Sequence, residues 1–518
     1  MAKYTFMNDV LRQDLSKIPS DTIELSFDDD FNQTIKVGEL PPSLKKLTLP
    51  QGFIFEIELG AIPEGLEEID FGYYFNRSIV PGLLPKSIKK IDLSQCFDQE
   101  LDIGSIPEGA EEIDFGHNFN RPIVPGLLPI SIKKIYLSDD FNQELEIGSI
   151  PEGAEEINFG RKFSYPIFPG LLPKSIKKIN IHFSRKLEIG SIPDGTEEID
   201  FGYRYNYRIV PGLLPKSIKK IRLPDTLNYE LEIGSIPDST EEIVFGNDFN
   251  HRIAPGLLPI SIKRIYLSNE FNQELEIGSI PEETEEIDFG HDFNRRIAPG
   301  LLPRSIKNIY LSGNFNQNLE IGSIPEGTEE LWFDYTFNQP IVPGLLPESI
   351  KQIELSYNFN QPLEIGSIPD GIEEIYFGHY FNQPIVPGLL PKSTKRLILS
   401  DMFNNQLEAG SIPDGLQDIE INGKYTGTFE NIPKTAKITS KTHIPDARYT
   451  LLYTGDNLDR YISEIGDGYK FGHVYSYHNY RAVDVEPIKR TIKVDYIVLE
   501  SIEKTIFALT EEIAKLKQ

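Results

Sequence analysis

A phenylalanine–asparagine pair, or a near variant of it, returns every 22 residues along this chain. It stands at Phe31, Phe75, Phe97, Phe119, Phe141 and Phe163, and again at Tyr205, Leu227, Phe249, Phe271, Phe293, Phe315, Phe337, Phe359, Phe381 and Phe403. Phe53 fills a skipped slot without its Asn, and Tyr425 is a last degraded echo. One step is short: Phe163 to Phe183 is 20 residues. A period of this length constrains the fold strongly. Each copy is too small to bury its own apolar side, so neighbours must share one core. We count 18 clear copies between Pro19 and about Gly423.

Two forms alternate, FNRPIVPGLLPISIKKIYLS at Phe119 to Ser138 and FNQELEIGSIPEGAEEINFG at Phe141 to Gly160, so the duplicated unit reads as 44 residues. Ile135 and Leu137 alternate with Lys134 and Tyr136, the period of a strand with one buried face. Pro129, Pro151, Gly126 and Gly148 punctuate the rest and leave no room for a ten-residue helix. Each unit is therefore expected to be one strand plus a helix-free return. Ile132, Ile135, Leu137, Phe141, Leu145, Ile147 and Ile150 make up its apolar set. Strands stacked at ~4.8 Å would give a rod or arc about 85 Å long.

Ile132-x-x-Ile135-x-Leu137 resembles the strand signature of leucine-rich repeats. The whole unit more closely resembles the FNIP repeat, named for residues such as Phe141, Asn142, Ile150 and Pro151. The resemblance covers about 400 of 518 residues. It implies a β-rich, leucine-rich-repeat-like solenoid whose strand face is concave and open to solvent. It also implies an amoebal protein, or one from a large virus that infects amoebae, in which case the cytoplasm would be the host's. Some members carry an N-terminal F-box and look like ubiquitin-ligase adaptors. About 18 residues precede the first unit here, too few for an F-box. A ligase role would then run through an adaptor contacted by the tail.

Composition narrows the function. With 51 Lys+Arg against 79 Asp+Glu the net charge is −28, which repels phosphate backbones and argues against nucleic acid as a partner. The lone cysteine, Cys96, provides neither an intrachain disulfide nor a multi-cysteine zinc site. No stretch reaches the ~18 unbroken apolar residues of a spanning helix, and the N-terminus lacks an apolar leader. The expected setting is intracellular and cytoplasmic, without membrane contact. No nucleophile elbow, phosphate-cradling glycine loop or metal-ligand spacing occurs, so no catalytic residue, metal or cofactor is assigned.

Within the repeat, the Asn beside each Phe is expected to bond the next coil's backbone. Glu pairs such as Glu111-Glu112 and Glu155-Glu156 fall in one form, and basic pairs such as Lys89-Lys90 and Lys133-Lys134 in the other. Stacking would set every Glu between two basic neighbours, favouring one register. The Glu pairs are not read as catalytic, because adjacent strand residues point to opposite sides and the motif recurs throughout the array.

Specificity should sit where near-identical units differ. The residue between the two strand apolars runs Asp70, Asp92, Asp114, Tyr136, Asn158, Asn180, Asp200, Arg222, Val244, Tyr266, Asp288, Tyr310, Trp332, Glu354, Tyr376, Ile398. Its later part is aromatic and includes the chain's single Trp. Trp and Tyr anchor binding hot spots. Tyr266, Tyr310, Trp332 and Tyr376, with His291, Tyr335, Tyr357, His379 and Tyr380 nearby, are the candidate partner-binding residues. The plainer alternative is that aromatics suit strands and merely cover their neighbours.

The resulting division is an N-terminal cap at 1–18, the solenoid at 19–430, a frayed last coil and linker at 431–446, and a small α+β segment at 447–518. In the last, ARYTLLYT reads as a strand, NLDRYISEI as a short helix, and Leu499, Ile502, Ile506, Leu509, Ile513 and Leu516 as one apolar helix face. That helix would pack locally or support weak self-association. His473 and His478 there, and His443 in the linker before it, lack ligand spacing. The function expected is a non-catalytic protein–protein interaction scaffold; the alternatives are a substrate-recruiting ligase subunit and an activity in the C-terminal segment.

Overall fold

The computed structural model describes residues 3–6, 15–29, 31–422, 425–444, 447–454 and 457–462. Its 23 strands, β1 to β23 in chain order, form one sheet. From β1 (Lys3–Phe6) to β21 (Lys437–Ile444) every strand pairs in parallel with the next. The strands between β2 (Glu24–Phe27) and β20 (Asp418–Asn422) mark nineteen turns, one more than the count of clear copies. The extra turn is the last one, which carries β20 and is followed by Tyr425, the degraded echo left out of that count. No α-helix occurs among the described residues; a single 3-10 turn covers Leu15–Lys17.

Most strands are only three residues long, with a central Ile or Leu buried and its neighbours facing out. The return between strands is built of turns and holds the prolines. Ile132, Ile135, Leu137, Phe141, Leu145 and Ile150 are all buried, as their spacing requires. Ile147 is not: it is 69% exposed. It lies in a turn beside Gly148, whose φ is +92, so the two-residue alternation from Leu145 does not extend to it. The same position is exposed at Ile103, Ile233, Ile277, Ile321 and Ile365.

The Phe column is the spine of the core. Phe53, Phe75, Phe97, Phe119, Phe141 and Phe163 stack with centroids 6.0–6.4 Å apart and planes within 13°. The stack resumes from Phe249 to Phe403 and on to Tyr425. At the coil shortened by two residues, Phe183 meets Phe163 at 63°. The missing residues draw the next coil in and turn its ring edge-on. Beside the spine, Asn120 Oδ1 accepts the N–H of Asn142 at 2.9 Å, and the same bond repeats from Asn250 through Asn404. The serine hydroxyls Ser94 and Ser138 donate to the Phe75 and Phe119 carbonyls.

The charge ladder is also present. Glu112 lies between Lys90 at 2.7 Å and Lys134 at 3.9 Å, and Glu197 between Lys177 at 3.2 Å and Lys219 at 3.4 Å. Two expectations about it need correction. Adjacent glutamates do not point to opposite sides: Glu155 precedes its strand, and both Glu155 and Glu156 reach solvent. Their N–H groups share one acceptor, the Lys133 carbonyl, which bends the chain there. The alternation also lapses at Glu330, whose register partners are Asn308 and Gln352.

At the C-terminal end, β22 (Ala447–Thr454) and β23 (Asn457–Ile462) pair antiparallel after β21. Asn457–Ile462, expected as a helix, is thus a strand. Hairpin pairing satisfies backbone groups that so short a helix would leave open at both ends. The expected tail helix, His473 and His478 lie outside the described residues.

Candidate functional site

The outward strand position gives the candidate aromatics their place. β15 (Asn308–Leu311), β16 (Glu330–Phe333), β17 (Gln352–Glu354) and β18 (Glu374–Tyr376) put Tyr310, Trp332, Glu354 and Tyr376 side by side in register. Tyr310 and Trp332 rings lie 5.9 Å apart at 38°. Trp332 also stacks with Tyr376, 6.4 Å away at 23°, although a whole coil separates them. That coil contributes Glu354. Strands one coil removed sit ~9.6 Å apart, twice the strand spacing, so the two rings lean together across the carboxylate.

Glu354 accepts no hydrogen bond and enters no ion pair with any described residue. Burial, and to a smaller extent the Asp334 carboxylate, push its pKa up to about 7. Asp334 is open to solvent on one side, yet the surrounding protein raises its carboxyl too, with His291 pulling the other way. The Trp332 indole N–H is buried without an acceptor among the described residues. A donor left in this state costs roughly 1–3 kcal/mol. Tyr376 donates to Glu374 at 2.6 Å and carries the Arg396 guanidinium 5.6 Å over its ring. Burial raises the Tyr310 hydroxyl to about 12 and pushes Tyr376 up further.

A second aromatic group follows the strands. Tyr335, Tyr357 and His379 stack at 4.9 and 4.6 Å with planes within 8°. Tyr380 packs edge-on against Tyr357 and His379. Asp401 holds His379 at 2.7 Å. Tyr335 and Tyr380 are about half exposed.

The nine candidates therefore separate. Seven form two ring-stacked groups over neighbouring coils. Tyr266 is instead engaged by Glu286 at 2.9 Å, and His291 by Asp292 at 2.7 Å. Sequence reasoning passed over Glu354, Asp334 and Asp401. A signal existed for Asp334: in its own form of the repeat this position is Gly at Gly72, Gly116, Gly160, Gly202, Gly246, Gly290 and Gly378, and Asp334 breaks that run. In the earlier half of the column, Asp70 and Asp114 each accept the N–H of the glycine two residues on, at 2.8 Å. Asp92 has no such donor. Burial and then its neighbours Asp114 and Asp70 push it up to about 7.

Among the described residues no cluster of three or more His, Cys, Asp or Glu side chains could hold a metal. No helix among them is long and apolar enough to cross a membrane.

Known proteins place this geometry in context. The family described as FNIP Repeat matches residues 15–52, 56–96, 97–140, 119–162, 141–184, 163–204, 183–226, 205–248, 249–292, 293–336, 337–380 and 381–424. No curated protein matches. Among solved structures, the chain is similar to one described as "CroV588 a novel circular LRR protein structure", with 23% identity and a TM-score of 0.68. That match covers 84% of this chain and 78% of the other. At that identity the likeness speaks for the fold.

Proposed function

The chain belongs to the FNIP repeat family, and from that premise we propose that it is a non-catalytic protein-interaction scaffold that binds through the outward face of its strands. One observation carries the reading. The interior is nearly constant from coil to coil, while the outward column changes from Asp and Asn to the stacked Tyr310, Trp332 and Tyr376. A core that repeats needs no variation outside it for stability. Rigid aromatics on a surface lose little freedom on binding and supply most of the contact energy in protein interfaces. A long repeat surface with fixed spacing suits an extended partner.

The test is affinity purification from the cells that express the protein. Wild type is compared with the Trp332→Ala/Tyr310→Ala double variant and with Tyr136→Ala, a control in the same column far along the array. A partner retained by the control and reduced at least tenfold by the double variant is expected, about 1.4 kcal/mol or more. An unchanged set of partners overturns the reading. Ligase subunits among the captured proteins would redirect it toward substrate recruitment.

A further inference from the structure

We propose that the aromatic face receives an arginine side chain from a basic segment of the protein partner, with the guanidinium against the Trp332 and Tyr376 rings and its N–H edge on the Glu354 carboxylate. This rests on the scaffold reading and names the partner's chemistry. Three features of the site converge on it. The first is the unmatched carboxylate. Four other acids of the outward column have local donors: Asp70, Asp114, Asp200 and Asp288 each accept a glycine N–H. Asp92 shares the lack of one with Glu354, but its neighbours in register are Asp70 and Asp114 rather than aromatic rings. Glu354 belongs to the other form of the repeat, where serine follows the strand, and has no such donor. Its strand neighbour Gln352 also stands where Lys or Arg is usual, so no cation comes from its own coil at that position.

The second feature is the pair of rings that overhang it. The negative faces of Trp and Tyr attract a cation within ~6 Å. Tyr376 already shows the preference, with Arg396 held 5.6 Å from its centroid. The third is the orphaned indole N–H of Trp332. A ring tilted aside by an entering group gives up no hydrogen bond at that atom.

Arginine fits better than lysine. Its flat guanidinium can stack on an aromatic face while its edge bonds both oxygens of a carboxylate; an ammonium does one or the other. The surrounding field agrees in sign: the net charge is −28, and Asp334 stands beside Glu354. The receiving surface is therefore built for a basic segment with at least one arginine.

Trp332 is the chain's single tryptophan, so its fluorescence reads this position alone. The full-length protein is titrated with a blocked nona-arginine peptide, and separately with nona-lysine and nona-glutamate. A saturable change in Trp332 emission with nona-arginine is expected, weaker at least threefold with nona-lysine and absent with nona-glutamate. Glu354→Gln should weaken the arginine response about tenfold, the scale of one lost charge-assisted pair. It removes one of 79 acidic groups, so diffuse attraction to the peptide is almost unchanged. Tyr376→Leu, which leaves Glu354 in place, should weaken it severalfold. Circular dichroism of both variants checks that the coils persist. The proposal is overturned by no saturable response, by equal affinity in Glu354→Gln, or by nona-lysine binding as well as nona-arginine. If Trp332→Ala/Tyr310→Ala loses captured partners while Glu354→Gln keeps them, the scaffold reading stands and the arginine assignment fails. If neither variant changes the captured set, both fail.

Discussion

Replacing Phe271 separates two contributions to the spine. Its ring is fully buried between Phe249 at 6.3 Å and Phe293 at 6.0 Å, with planes within 8° of both. Phe271→Ala removes the ring and leaves a cavity, since flanking coils held by their own hydrogen bonds cannot close it. The expected loss is about 4 kcal/mol. Phe271→Leu keeps most of the apolar volume but gives up two ring pairs, each worth ~0.5–1.5 kcal/mol, so its cost should be about 1–3 kcal/mol. Each coil touches only its neighbours, so the loss should be local. A long array need not unfold in one step, which makes hydrogen exchange followed peptide by peptide the suitable assay. Protection should fall in segments covering 249–293 and hold in those covering 75–119. Equal costs for Ala and Leu would show that ring stacking adds nothing. Protection lost evenly along the whole array would refute the nearest-neighbour reasoning.

Further outcomes follow from single positions. Gly116 has φ +72, and an added Cβ would lie 2.2 Å from the Ser94 carbonyl oxygen; Gly126 has φ +86 and open space. Gly116→Ala should therefore cost clearly more than Gly126→Ala, which itself costs about 1 kcal/mol from backbone strain; urea denaturation of both variants measures the gap. Asp92 holds its proton to a pH about three units above an unfolded aspartate because burial and the facing Asp114 and Asp70 disfavour the charge, with Lys90 opposing. The folded chain thus binds more protons than the unfolded one between about pH 4 and 7, and stability falls as pH rises through that window. Asp92→Asn should flatten this part of the stability–pH curve and stabilise the protein above pH 7; an unchanged curve refutes the assignment. Gln352→Lys would place a cation between Glu330 and Glu374, its partners in register. A gain of a few tenths of a kcal/mol, lost at high salt, is expected from thermal melts in low and high salt.

The repeat made the fold legible because a period broken at a single step, Phe163 to Phe183, fixes which residues share a column. Phe141, Asn142 and Ile135 could be placed from spacing alone, and the structure stacks them as that spacing demands. Ile147 was misjudged because apolar character does not distinguish a strand from a turn, and a left-handed glycine beside it reverses the side chain's direction. The candidate site was half legible. Tyr310, Trp332 and Tyr376 are conspicuous as aromatics in a polar column, whereas Glu354 resembles any acid in a chain with 79 of them. Only the lean of two rings across its coil sets it apart, and that depends on distances no one-dimensional pattern carries.

The alternation of acidic and basic coils has an implication for how such arrays can lengthen. Inserting one 22-residue copy would bring two glutamate-bearing strands, or two lysine-bearing strands, face to face at the seam; inserting two restores attraction throughout. Growth by paired copies therefore keeps the alternation wherever the flanking coils are charged, as they are not around Glu330, while odd additions create a repulsive joint. Designers extending or trimming this scaffold should cut at matching points 44 residues apart, the interval from Glu112 to Glu156, and keep an even tally of coils between the cuts.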